Sequence, residues 1–207
     1  MSRISPEPWH VPDGAWAGET AFVLGGGPSI AASPVESLQG RRVIAVNDIG
    51  LTRACWADVL YFADRRWLEW NAAELYRHVG DWKITRRPPH LNTPGAYVRW
   101  LYHAPALKLS REPDRLSGHC GGSSAINLAF LLGASRIVLL GFDMRPGSWH
   151  QRHKMPEVEH NYEKRFIPAL ERMARELEAE GVEVINCTPE SALTCFPAAR
   201  LEDVTGC

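Results

Sequence analysis

Short apolar runs, each closed by glycine or a polar turn, punctuate this chain. TAFVL at Thr20–Leu24, RVIAV at Arg42–Val46, DVLYF at 58–62 and RIVLL at Arg136–Leu140 each hold four consecutive apolar residues. Runs of that length without a polar face suit strands covered on both sides. VEVI at 182–185 adds a further strand, and WKIT at 82–85 a weaker candidate. Helical spacing fills the gaps. Trp67, Leu68, Asn71, Leu75 and His78 fall near one face over 65–78, and Ser33-Pro34 opens a short helix that ends near Gln39-Gly40. AINLAFLLG is apolar nearly all round, which predicts a buried helix ended by Gly133. Tyr162, Phe166, Leu170, Met173 and Leu177 mark a last helix, with Pro168 either kinking it or marking its first turn. Strands alternating with helices predict an α/β fold. Right-handed crossovers make it Rossmann-like and doubly wound, a mainly parallel sheet with helices on both faces.

The expected organisation is an irregular arm over 1–19, rich in proline and glycine, and a single domain over 20–207. Within the domain, 86–119 reads as an excursion over the ligand face that contributes Arg86, Arg87, His90, Asn92, Arg99 and Trp100. Residues 144–160 read as a lid-like loop.

In such a fold, ligands lie beyond the carboxyl ends of the strands. The predicted ends carry GGGPS at 25–29, Asn47-Asp48, Asp64, 141–143 and Asn186, and the helix start CGGSS at 120–124 should face the same rim. Glycine lets a ligand approach the backbone, and a helix N-terminus offers free N–H groups and partial positive charge. Two such turns suit a phosphate, although a glycine turn also serves simple chain reversal. GGGPS is not GxGxxG, and Glu36 comes too early for a dinucleotide ribose. No GK[ST] follows, so a P-loop is excluded. Asn47, Asp64 and Asp143 can cap the next turn or touch ligand.

Composition narrows this modestly. The 207 residues suffice for one substantial domain, and a net charge of −1 gives no global field to recruit nucleic acid. The five cysteines form no CxxC pair, which fits reduced thiols in a cytoplasmic protein. The amino-terminal residues show no apolar leader, and no run approaches a membrane span.

FVLGGGPSI, VIAVND, ADVLYFAD, SGHCGGSSAINLAFLLGASRIVLLGFDM and VEVINCTPESAL occur in that order. The set resembles the bacterial sialyltransferases of glycosyltransferase family 42. It also resembles the DUF115 group, which includes the MptE-like 6-hydroxymethylpterin pyrophosphokinases and has short phage and prophage members. The resemblance spans roughly residues 20–195. It implies a nucleotide held by Gly25, Gly26, Gly27, Ser29, Asn47, Cys120, Gly121 and Gly122, with Ser123, Asp64, Asp143 and Tyr162 as further candidates. Two positions depart from the sialyltransferase pattern: Gly26 replaces an asparagine, and Cys120-Gly121 stands where a hydroxyl pair is usual. Sialyltransferases use a histidine base and tyrosines before the last long helix. That segment here holds His150, His153, His160 and Tyr162.

Three readings follow. The first is a glycosyltransferase with a nucleotide-sugar donor of CMP or UDP type, a small-molecule or glycan acceptor and a histidine base. The second is a diphosphokinase using ATP and Mg²⁺ through Asp64 and Asp143. The third is a nucleotide-binding or phage assembly-related module without catalysis. His150 and His153 make an HxxH spacing, but nothing completes a ligand set, so no metal site is expected. A homo-oligomer is left open.

Overall fold

The structure, a computed structural model, describes residues 7–86, 97–104, 108–150 and 160–206. An eight-stranded sheet forms from β1 (Thr20–Leu24), β2 (Arg42–Val46), β3 (Val59–Phe62), β4 (Trp82–Arg86), β5 (Val98–His103), β6 (Arg115–Leu116), β7 (Arg136–Leu140) and β8 (Glu183–Asn186). Their order is β6-β5-β4-β3-β2-β1-β7-β8, and every pairing among the described residues is parallel. The fold is therefore the expected Rossmann-like α/β architecture. Unbroken apolar runs are what two covered faces demand. Along β1, Ala21 and Val23 enter one core while Phe22 and Leu24 enter the other.

The first core is closed by α2 (Gly121–Leu131) and α3 (Ile167–Ala179). Helix α2 crosses β1, β2 and β3, and its run from Ser123 to Ala129 is buried throughout. The opposite face carries less helix than expected. A single 3₁₀ turn, Val35–Leu38, replaces the helix expected after Ser33-Pro34. Proline before it and Gly40 at φ 82° after it leave no room for an α-helix. Helix α1 (Arg65–Asn71) passes into a 3₁₀ segment, Ala72–Arg77, and their apolar stripe still packs, with Trp67, Leu68, Asn71, Leu75 and His78 all buried. Helix α4 (Leu201–Thr205) closes the far end of this face through Leu201.

Two further differences have physical causes. Within 86–119 the described residues contain β5 and β6, hidden in the sequence by surrounding prolines. Trp100 is buried there, and Arg99 stacks its guanidinium over Trp9 and Tyr97. Arg87, His90 and Asn92 lie outside the described residues. Pro168 sits in the first turn of α3, preceded by a π turn, Tyr162–Phe166. Proline has no N–H, and its ring collides with the carbonyl four residues back, so the preceding turn widens.

Residues 7–19 pack on the sheet's first face. Trp16 and Val11 are buried, and the N–H groups of Trp9 and Trp16 donate to the carbonyls of Trp100 and Leu132.

Candidate functional site

From β1 the chain steps outward through β2, β3, β4 and β5 to β6, then returns over α2 to β7 on the other side of β1. The carboxyl ends of β1 and β7 thus diverge at the sheet's switch point, where doubly wound folds place ligands. A cavity of about 240 Å³ opens there. Gly25, Gly26 and Gly27 line one side, Cys120, Gly121 and Gly122 another. The two glycine-rich turns share one rim.

The first turn is braced by β7. Gly25 N–H donates to the Leu140 carbonyl at 2.7 Å, and Gly27 N–H to the Gly141 carbonyl at 3.0 Å. A side chain at Gly25 would meet the Gly141 carbonyl at 2.5 Å. One at Gly27 would collide with the Asp143 carboxylate. That carboxylate accepts Ser29 N–H at 3.1 Å through Oδ1 and Ser29 Oγ at 2.8 Å through Oδ2. Ser29 and Asp143 therefore clamp the turn to the end of β7. Most of the turn's donors are consumed internally. Among the described residues, the Gly26 N–H alone of that turn has no acceptor, and a side chain there would meet open space.

The second turn is a capping box. Ser123 N–H donates to Cys120 Sγ at 3.4 Å, and Cys120 N–H to Ser123 Oγ at 3.1 Å. Cysteine here does the work of the usual capping hydroxyl. The N–H groups of Gly121 and Gly122 have no intrahelical acceptor, because they belong to the first turn. They carry the positive end of an eleven-residue helix. Gly122 lies tight on Phe142, whose ring a Cβ would approach to 2.7 Å.

Asn47 closes the cavity floor at the end of β2. Its φ of 59° is left-handed, a conformation asparagine tolerates better than most residues. Among the described residues, its buried Oδ1 has no hydrogen-bond partner. Strained backbone and an unsatisfied polar atom recur where a ligand completes the structure.

Residues 144–150 fold back over the opening. Gly147, at φ 122°, packs against Pro28, and Phe142 is held by Thr188 Oγ1 and Ser191 Oγ from beyond β8. This brings Arg145, Trp149 and His150 to the cavity, opposite Tyr162 and Phe166, whose rings meet edge to face at 5.5 Å. His150 Nε2 stands 3.7 Å from Asp48 Oδ2. The same oxygen accepts the Trp67 indole N–H at 2.7 Å. Asp48 was not singled out from sequence; its place at the end of β2 was the one available signal.

Of the other candidates, Asp64 caps α1 by accepting Arg66 N–H at 2.8 Å and does not line the cavity. Ser123 is buried within the capping box. His160 is exposed outside the lining residues, and His153 lies outside the described residues. Burial pushes the Cys187 and Cys195 thiols up to about 11, so neither is a thiolate at neutral pH. Burial likewise pushes the Tyr61 phenol, in the core beneath α2, up to about 12. No group of three or more potential metal ligands occurs among the described residues. Among the same residues, no helix is long and apolar enough to cross a membrane.

No family model matches the chain. No curated protein matches it in sequence. Among solved structures it is similar to the sialyltransferase CstII from Campylobacter jejuni, determined in complex with a substrate analogue, cytidine-5'-monophosphate. The TM-score is 0.54 at 13% identity, over 88% of this chain and 85% of that one. At that identity the likeness is one of fold.

Proposed function

We propose that this protein is a nucleotide-binding transferase, a glycosyltransferase using a nucleotide-sugar donor of CMP or UDP type, with His150 as the base. One observation carries the reading. A single cavity at the switch point joins unengaged N–H groups of Gly26, Gly121 and Gly122, the unsatisfied Asn47 Oδ1, and a histidine beside a carboxylate. The N–H groups suit a phosphate, and Asn47 suits a polar edge of sugar or base. The fold shared with an enzyme solved bound to cytidine-5'-monophosphate agrees with this.

In the proposed reaction, the acceptor oxygen attacks the anomeric carbon as the bond to the donor phosphate breaks. The acceptor proton passes to the His150 imidazole. The electron pair leaves on the phosphate, stabilised by the N–H groups of α2 with Tyr162 and Arg145 nearby. Asp48 stabilises the imidazolium that results.

The diphosphokinase reading gains less support. Its carboxylates, Asp64 and Asp143, are already engaged by Arg66 and Ser29. A thermal-shift panel of CMP, UDP and ATP, each with and without Mg²⁺, tests the proposal. A rise in Tm with CMP or UDP and no metal supports it. A rise only with ATP and Mg²⁺ favours the diphosphokinase, and no rise with any nucleotide removes both enzymatic readings.

A further inference from the structure

The cavity at the switch point is small for what the proposed reaction brings together. Pockets that enclose a whole ligand run from about 300 to 1,000 Å³, and this one measures about 240 Å³. A nucleotide alone would take up that space, so the rest of the substrates must continue beyond its walls. A way out lies past Arg145. Arg145 and Asp143 line the cavity and also an adjoining hollow of about 340 Å³. Ser29, Pro189 and Glu190 line that hollow and, in turn, a larger one of about 700 Å³. The large hollow shares no lining residue with the nucleotide cavity. It lies on the face of the sheet opposite α2 and α3, at the ends of β7 and β8, where Leu140, Cys187 and Leu201 of the second core line it.

The wall between the hollows is firmly held. Phe142 N–H donates to Thr188 Oγ1 at 2.9 Å, Ser191 Oγ donates to the Phe142 carbonyl at 2.6 Å, and Ala192 N–H to the Asp143 carbonyl at 3.0 Å. Residues 188–192 are thus fastened to the turn that also walls the nucleotide cavity. Glu190, left-handed at φ 51°, stands at the junction. The large hollow is further lined by Glu202, Asp203 and Arg200. These four charged side chains are exposed, and none forms an ion pair among the described residues. Three carboxylates against one guanidinium favour a cation. No group of three potential metal ligands gathers among the described residues, so the carboxylates do not converge on an ion-sized point. Apolar floor and acidic surround together suit an extended organic cation.

From this we infer that the acceptor lies along these hollows, and that it is a glycan-like chain whose end remote from the reacting hydroxyl carries an ammonium group, held by Glu190, Glu202 and Asp203. That the ligand is the acceptor rests on the transferase reading; cation binding in the large hollow does not.

The test follows backbone amide resonances of the full-length chain by NMR. The probe is an N-acetylglucosamine trisaccharide whose terminal unit alone carries a free amine, at a pH that keeps the amine protonated. The fully acetylated trisaccharide is the control. Each titration is run with and without cytidine-5'-monophosphate, whose own affinity is measured by calorimetry. The aminated sugar is expected to give saturable shifts at Glu190, Leu201 and Glu202 that persist with the nucleotide present and extend to Asp143 and Arg145. It should bind at least about tenfold more tightly than the acetylated sugar. The double variant Glu202→Gln, Asp203→Asn, and separately Glu190→Gln, should erase most of that preference while leaving the weak binding of the acetylated sugar unchanged. No shifts, equal affinity for the two sugars, or an undiminished preference in the variants overturns the cation site. Shifts that stop short of Asp143 and Arg145, or that the nucleotide abolishes, overturn its assignment to the acceptor. If the nucleotide fails to bind while the charge-dependent sugar response remains, the nucleotide reading fails and the cation site stands.

Discussion

Asp48, just past the end of β2, and His150, in the segment after β7, meet at the cavity with Oδ2 3.7 Å from Nε2, and Trp67 fixes that carboxylate through its indole N–H. The imidazolium that forms if His150 accepts the acceptor proton would lie beside this carboxylate. His150→Ala is therefore expected to lower kcat by about 10²–10⁴-fold while leaving the affinity for CMP or UDP within a few-fold. Asp48→Asn keeps an oxygen for Trp67 but removes the charge, and kcat should fall by about tenfold. Steady-state kinetics with parallel calorimetry separates the two effects. Unchanged kcat in both variants ends the case for His150.

The clamp between Ser29 and Asp143 makes a structural prediction. Asp143→Ala removes two hydrogen bonds to a carboxylate and should destabilise the protein by about 1–3 kcal/mol. Ser29→Ala keeps the backbone N–H donor, so about half that loss is expected. A double-mutant cycle in denaturant should show coupling between the two positions, since they share the interaction. If instead Asp143→Ala leaves stability intact and changes only nucleotide affinity, Asp143 belongs to the ligand rather than to the turn.

How far the sequence reaches is clear from particular elements. Strands β1, β2, β3 and β7 were legible because burial on both faces writes an unbroken apolar run. Strands β5 and β6 were not, because six and two residues set among prolines carry too little pattern. The 3₁₀ turns escaped for a related reason: four or five residues do not complete two turns of any helix. The shared rim of the two glycine turns followed from topology alone, since both lie at carboxyl ends of parallel strands or just after them. What stayed hidden was which N–H groups remain open. Gly25 and Gly27 donate to β7, more than a hundred residues along the chain, and nothing local encodes that. The pairing of Asp48 with His150 was hidden likewise, because it depends on how 144–150 folds back.

The glycines divide by what surrounds them. Gly122→Ala sets a Cβ 2.7 Å from the buried Phe142 ring, so a loss of about 1–3 kcal/mol is expected. Gly26→Ala meets nothing within 4 Å and its φ is not left-handed, so stability should stay within about 0.5 kcal/mol. The new methyl would nevertheless stand at the cavity wall, and nucleotide affinity should fall. Gly26→Asn, which puts at this position the residue that the sialyltransferase resemblance leads one to expect, should fold equally well and, if the proposed CMP-type donor site holds, bind CMP more tightly. Thermal melts and CMP calorimetry on the three variants check this. A strongly destabilised Gly26→Ala contradicts the open space described at that turn.

His78 supplies a pH dependence unrelated to the site. It is buried at 2% exposure between the 3₁₀ segment Ala72–Arg77 and the sheet. Burial, with help from the nearby Lys83, pulls its imidazole down to about 4 from an ordinary 6.5. The folded state thus keeps His78 neutral where the unfolded chain has already protonated it. Stability is complete above pH 6.5 and declines as pH falls from 6.5 towards 4, because the unfolded state binds the extra proton. At 1.36 kcal/mol per pH unit the full loss is about 3 kcal/mol. His119, also held low, adds a contribution of the same sign. Denaturant melts of the wild type between pH 7 and 4 should show this slope, and His78→Gln, which cannot take up the proton, should flatten most of it. An unchanged slope in His78→Gln would place the acid sensitivity elsewhere, with the carboxylates that brace Arg42, Arg53 and Arg111 the next groups to vary.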